Sequence, residues 1–243
     1  MVMFPPFEET YEKIVRSNTL AELAESIREI RDEYGLAHLV YHAVHLPQSS
    51  ESNPILLLTY DPEWVRRYTT RDYFLIDPVV QQGRRGFLPL DWSDVDHDSL
   101  QAQAFFREAA RFEVGQNGMT LPVRGPGGER ALLSITSNVA SRDWQRERLN
   151  IMRDFQLVAH VVHDQAVRLS QLRGPGLPRQ LSARERETLQ LAARGFAPKQ
   201  IAADLHLSPT AVRLYLQGAR SKLECATLTQ GIAKAISLDI IQA

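Results

Sequence analysis

Cysteine is almost missing from this chain. Its single occurrence, Cys225, excludes an internal disulfide and leaves no thiolate set for a structural zinc site, which fits a reducing cytoplasm. No apolar run approaches the ~20 residues that a membrane span needs. The opening MVMFPPFEET has no basic stretch ahead of an apolar core, so no signal peptide is expected. Internal repeats and low-complexity tracts are absent as well. So are catalytic signatures: no Gly-rich phosphate loop follows a strand pattern, and no Ser or Cys sits in a nucleophile motif. Neither an enzyme nor a bound cofactor is expected. His38, His42 and His45 are close in sequence, but on a strand 38 and 42 share a face and 45 does not. His160 and His163 share a helix face. Solvated or core histidines are the default for all five, and no metal site is expected.

What is present divides in two. A chain of 243 residues holds one large and one small domain. The net charge of −1 is unevenly spread: nine Lys and Arg stand against five Asp and Glu from Pro175 onward, and nineteen against twenty-four before it. A basic small domain after an acidic larger one suits a nucleic-acid reader joined to a partner that does not touch nucleic acid. The basic excess is modest, so tight binding calls for a dimer. Gly174-Pro175-Gly176-Leu177-Pro178 reads as a linker, placing domains at 1–172 and 180–243 with the connection at 173–179.

The larger part reads as α+β, an α/β/α sandwich whose antiparallel sheet encloses a pocket. Residues 7–34 are helical in pattern, with Thr19 and Glu22 at capping-box spacing. Leu36–Val44 alternates as a strand: Leu39, Tyr41 and Ala43 on one face, His38, Val40 and His42 on the other. Ile55–Tyr60 is a second strand. Asp61-Pro62 caps and opens a short helix on which Trp64 and Tyr68, four apart, share a face. Asp77 follows among apolar neighbours. Ser99 caps a helix with Leu100, Phe105, Phe106 and Ala109 inward. Met119–Val123 and Ala131–Ser137 pair across the Gly125-Pro126-Gly127-Gly128 turn. Ser141 then caps a long helix to about Leu172, where Met152, Phe155, Ala159, Val162, Ala166 and Leu169 form a seam. That seam either packs on the sheet or makes a dimer contact.

Tyr60, Trp64, Tyr68, Asp77 and Trp92 are the candidate pocket set. The aromatics alone read as core. Asp77 changes the balance, because a carboxylate between Ile76 and Val79 must find donors or bear a large desolvation cost. A ligand amide N–H is one such donor, and an apolar pocket with a few placed polar groups is the general form of a small-molecule site.

The C-terminal stretch 181–224 reads as three helices in a small all-α, helix-turn-helix arrangement. Ser182 and Glu185 form a capping box, Gly195 stops the first helix, and Pro198 starts a short second one with Ile201, Ala202 and Leu205 inward. His206 and Leu207 carry the turn. Ser208 caps a third helix with Pro209 at its first position. Val212, Leu216, Ala219 and Leu223 make its buried stripe, opposite Thr210, Arg213, Gln217 and Arg220. Such a helix is presented to a DNA major groove. Arg213 reaches a guanine edge, Thr210 or Gln217 a neighbouring base, and Lys199, Arg220 and Lys222 the phosphates. A helical bundle with a charged face is the plain alternative.

This stretch resembles the DNA-binding domain of the LuxR family of bacterial transcription regulators. The resemblance rests on Leu181, Arg184-Glu185, Glu187, Leu189, Ala193, Gly195, Ile201-Ala202, Leu205, Ser208, Val212 and Lys222-Leu223. The chain departs from the family pattern at Phe196 (usually Lys), Ala211 (usually Thr) and Tyr215 (usually His). Gly218 is also unusual inside such a helix, where it costs about 1 kcal/mol against Ala. The segment from Tyr60 onward resembles the same family's autoinducer-binding domain: Tyr60, Trp64, Tyr68, Asp77-Pro78 and Trp92 keep its spacing, and Gly118, Thr120 and Pro122 its later Gly-x-Thr-x-Pro pattern. The resemblance implies a receptor for an acyl-homoserine lactone. In it, Trp64 donates to the lactone carbonyl, Asp77 accepts the amide N–H, and Tyr60 donates to the amide carbonyl. Trp92 packs on the lactone ring, Tyr68 lines the acyl side, and Thr120 and Ser134 belong to the same site. It further implies a cytoplasmic homodimer reading an inverted repeat in double-stranded DNA, off the membrane. The alternative is an orphan regulator of the same type that answers to another small molecule.

Overall fold

The computed structural model describes residues 5–47, 49–125, 128–172 and 180–242. Residues 180–242 form one compact unit and nearly all the earlier described residues another. The linker expected at 173–179, and Pro126 and Gly127 of the expected turn, lie outside the described residues.

The first unit begins with helices α1 (Phe7–Arg16) and α2 (Leu20–Glu33). Thr19 Oγ1 caps α2 by accepting from Glu22 N at 3.1 Å. The Glu22 carboxylate returns to Asn18 N rather than to Thr19 N. Strand β1 (His38–His45) follows, then β2, which covers only Ile55–Leu57 and not the expected run to Tyr60. The pairing stops because the Thr59 side chain takes over the backbone of β1: its Oγ1 accepts from Leu39 N at 2.9 Å and donates to Leu39 O at 3.2 Å. Helix α3 (Pro62–Thr70) is capped by Asp61, and helix α4 (Pro78–Gly83) by Asp77. Strand β3 (Leu90–Asp91), helix α5 (Leu100–Arg111), strands β4 (Asn117–Arg124) and β5 (Arg130–Ser137) and helix α6 (Ser141–Leu169) complete the unit.

The five strands form one antiparallel sheet in the order β2-β1-β5-β4-β3. Period-two alternation sorts their side chains. Leu39, Tyr41, Ala43, Leu121, Leu133 and Ile135 face one way and pack with α1, α2 and α6 into the main core. The α6 seam belongs to this core, with Phe155, Ala159, Val162 and Ala166 fully buried and Met152 and Leu169 packed against them. The four buried side chains are therefore spent within the unit, and the seam packs against the sheet. Ser141 is not the cap of α6 either: Ala140 holds that position without a side-chain hydrogen bond. On α5 the Ser99 cap is present, but Leu100 is 86% exposed, because the first helical position points outward while Phe105 and Ala109 turn in.

The second unit packs α7 (Ala183–Ala193), α8 (Pro198–Asp204), α9 (Pro209–Lys222) and α10 (Leu228–Ser237) around Leu189, Ile201, Val212, Leu216, Ala219 and Leu223. The Ser182–Glu185 capping box closes in both directions. Gly195, at φ +88°, turns the chain out of α7, and His206, at φ +54°, turns it between α8 and α9. The fourth helix lies beyond the stretch read as helix-turn-helix; Thr227 caps it, and Leu228, Ile232 and Ile236 lean on the same core. Gly218 has a reason in this packing. A Cβ there would lie 2.5 Å from Glu185 Oε1, so glycine lets α9 close over the carboxylate that caps α7 without displacing its tip.

Candidate ligand cavity and nucleic-acid interface

The sheet face that carries Val40, His42, Leu132 and Ser134 borders a cavity of about 760 Å³, which residues of α3, α4 and α5 also line. Tyr60, Trp64, Tyr68, Asp77, Trp92 and Ser134 all line it. The aromatics form a connected cluster. Trp64 meets Tyr68 edge-on at 5.7 Å, Tyr68 meets Phe74 at 4.8 Å, and Tyr73 meets Phe105 at 5.4 Å. Outside it, Glu108 of α5 accepts from the Tyr73 hydroxyl and pairs with Arg67 and Arg71, which ties α3 to α5.

Asp77 is 8% exposed and well supplied by the protein itself. Its Oδ1 accepts from Val79 N (2.8 Å) and Val80 N (3.3 Å), and its Oδ2 accepts from the Tyr68 hydroxyl (2.8 Å). Burial therefore does not by itself demand a ligand donor here; the helix cap and Tyr68 meet much of that need. Tyr68 is thus a positioning residue for the carboxylate, more than a wall. Burial still dominates, and it pushes the Asp77 carboxyl up to about 6 against these three hydrogen bonds. The Tyr60 and Tyr68 phenols are raised by burial and by the Asp77 charge, which keeps both as O–H donors. Among the described residues, neither the Tyr60 hydroxyl nor the Trp64 indole N–H meets a protein partner. Two uncommitted donors and one carboxylate thus share a single apolar chamber.

Thr120 does not line the cavity. It is fully buried behind the wall, where Oγ1 accepts from Trp92 Nε1 at 2.9 Å and lies 2.8 Å from Ser134 Oγ. Its work is to hold Trp92 and Ser134. With Thr120 accepting from Trp92 and donating to Ser134, the Ser134 O–H is left to face the cavity. Gly118 supports the same arrangement: a Cβ there would fall 2.5 Å from Trp92 Cδ2, so the indole lies flat on the strand backbone. His42, Phe74, Phe105 and Leu132 also line the chamber and were missed as site residues. Strand alternation could have found His42, which shares a face with Val40.

Among the described residues no three metal-ligating side chains gather. His38 contacts the carbonyls of Thr59 (3.0 Å) and Glu113 (3.1 Å). His163 has an acidic partner from far along the chain, with Nε2 3.1 Å from Glu129 Oε2, and its Nδ1 lies 2.8 Å from the Tyr41 hydroxyl.

In the second unit, Thr210, Arg213 and Gln217 stand exposed along the outer face of α9, and Lys199 is exposed on α8. Arg220 is half-buried, and its guanidinium donates to Ala226 O at 3.3 Å. Lys222 is engaged elsewhere, with Nζ 2.6 Å from Glu185 Oε2. That ion pair clamps α9 to α7, so the structure gives Lys222 a place inside the domain rather than the outward reach expected of a phosphate contact.

Residues 19–166 match the family model described as autoinducer binding domain, and residues 179–235 the one described as bacterial regulatory proteins, luxR family. The chain belongs to the LuxR family of autoinducer-binding transcription regulators. The transcriptional activator protein RaiR of Rhizobium etli is 52% identical over 186 residues, which span 76% of each chain. The LuxR architecture extends to solved structures. Escherichia coli SdiA superposes with a TM-score of 0.66 at 20% identity, covering 98% of both chains. CepR2 of Burkholderia cenocepacia, described as an N-acylhomoserine lactone dependent LuxR family transcription factor, superposes with a TM-score of 0.54 at 18% identity, covering 68% of this chain and 95% of that one. At those identities the likeness shows the fold. The LuxR-type chain thus joins a small-molecule domain to a DNA-binding helix-turn-helix, in a family of regulators, not enzymes. No described helix is long and apolar enough to cross a membrane.

Proposed function

We propose that the autoinducer is an N-acyl-homoserine lactone, and that the liganded chain acts as a homodimer on an inverted-repeat DNA site. One observation carries the ligand reading: the uncommitted donors of Trp64 and Tyr60 share a chamber with the buried acceptor Asp77. An acyl-homoserine lactone offers the complement, two carbonyls and one amide N–H. Trp64 donates to the lactone carbonyl, Tyr60 to the amide carbonyl, and Asp77 accepts the amide N–H. Trp92, held flat by Gly118 and Thr120, packs on the lactone ring, and Ser134 reaches the amide region. On the DNA side, Arg213 reads a guanine edge beside Thr210 or Gln217, while Lys199 and Arg220 contact phosphates. Two such helices meet half-sites about one helical turn apart. The working domains are residues 1–172 and 180–243, the protein is cytoplasmic, and it leaves its ligand chemically unchanged.

Thermal melting of purified, ligand-free protein against a series of acyl-homoserine lactones tests this. A ligand that binds only the folded state adds about 2.7 kcal/mol at a hundred times its Kd. A concentration-dependent rise in Tm with one subset is expected. No rise with any member would replace the lactone with a different small molecule.

A further inference from the structure

A polar side chain, His42, stands among the apolar cavity-lining residues Val40, Leu56 and Leu132. His42 of β1 is 6% exposed and lines the chamber, and its cross-strand neighbours are Leu56 on β2 and Leu132 on β5. Phe74 covers its ring at 5.3 Å. Beyond it, Nε2 lies 2.6 Å from Asn53 Oδ1. A carbonyl oxygen at that distance fixes the tautomer: Nε2 carries the proton and donates it, so Nδ1 presents a lone pair. Nδ1 meets no protein donor among the described residues, and the His42 side chain lines the cavity. Burial holds this imidazole at about 4, so the ring is neutral at ordinary pH and Nδ1 stays an acceptor.

We infer that His42 is a specificity determinant that selects an acyl chain bearing a hydroxyl group. This rests on the lactone reading above. A hydroxyl donates to Nδ1. A ketone brings only lone pairs against a lone pair, and a plain methylene leaves a desolvated nitrogen unpaired. The register also sets the position. Val40 is level with Ser134, and His42 is two residues further along β1, about 7 Å away. With the amide near Ser134, the preferred hydroxyl sits in the middle of the acyl chain and not on the carbons next to the amide.

The experiment is a positional scan on the full-length protein. Synthetic N-acyl-homoserine lactones of one chain length carry a hydroxyl at successive carbons, alongside the unsubstituted chain and the matching ketones, and Kd is measured for each. A mid-chain hydroxyl should bind about 2- to 10-fold more tightly than the unsubstituted chain, the span of one net hydrogen bond. Its ketone should gain nothing. In His42→Phe the ratio of the unsubstituted to the hydroxylated Kd should fall to about one, whatever the change in the unsubstituted lactone's own affinity. If unsubstituted lactones bind and hydroxylation gives no gain at any position, or if the gain survives His42→Phe, His42 is not the determinant. If no lactone of any kind binds, the ligand class itself is wrong and this inference falls with it.

Discussion

The two faces of the sheet are made from the same five strands and serve opposite ends. On one, Leu39, Tyr41, Leu121, Leu133 and Ile135 pack with α1, α2 and α6 into the main core. On the other, Val40, His42, Leu132 and Ser134 look into a chamber of about 760 Å³. Alternation puts a core residue and a ligand-facing residue side by side along each strand, so the packed face stabilises the wall on which the receptive face is displayed. Helix α9 repeats the division: Val212, Leu216, Ala219 and Leu223 are buried, and Thr210, Arg213 and Gln217 are exposed. In both units the face proposed to bind is the one left incompletely packed.

This contrast can be broken from its packed side first. Phe155→Ala empties a fully buried site on α6 against Tyr34 and should cost about 3–5 kcal/mol of stability by denaturant unfolding. Leu132→Ala, on the cavity face, should cost closer to 2 kcal/mol, because part of its side chain borders space already. Equal costs would mean that the two faces are packed alike.

A smaller effect is expected at the site itself. Asp77→Ala should weaken ligand binding by about 1–3 kcal/mol in a titration, leaving the second unit folded. The pH dependence follows from the raised carboxyl. The buried group binds its proton up to pH about 6, against 3.8 for an unperturbed carboxyl, so the ligand-free protein loses stability as pH rises through that window and carries the full penalty above it. An amide N–H favours the anion, so ligand affinity should fall as pH drops below about 6. Asp77→Asn should flatten that dependence; an unchanged pH profile would remove Asp77 from contact with the amide.

Arg213→Ala should cost about 1–3 kcal/mol in operator binding, with ligand affinity unaltered. Equal loss on all DNA sequences would make Arg213 a phosphate contact. The smallest effect is set for Gly218→Ala. Helix propensity alone predicts a gain of about 1 kcal/mol. The contact with Glu185 predicts a net loss of thermal stability in the second unit, and a gain would show that the close approach is dispensable.

Much of this was legible in the chain. The caps at Thr19, Asp61, Ser99, Ser182 and Ser208 are local, and each accepts the backbone N–H expected of it. Strand alternation sorted Leu39 and Tyr41 from Val40 and His42 correctly, because a period of two needs no knowledge of the partner strand. The misreadings were of a different kind. β2 ended early because Thr59 reached across to β1. Leu100 turned outward because amphipathic spacing does not fix the first turn of a helix.

What the sequence by itself determined was the periodicity, the caps and the kinds of side chain brought to the pocket and to α9, since each depends on neighbours a few residues away. The tertiary structure alone decided how those side chains are used. It set Tyr68 on Asp77, Thr120 behind Trp92, Lys222 on Glu185 and Asn53 on His42, pairs separated by between 9 and 37 residues along the chain. Hydrogen bonds of that reach commit a polar atom only once the backbone has closed, and so decide which donors and acceptors remain for a ligand.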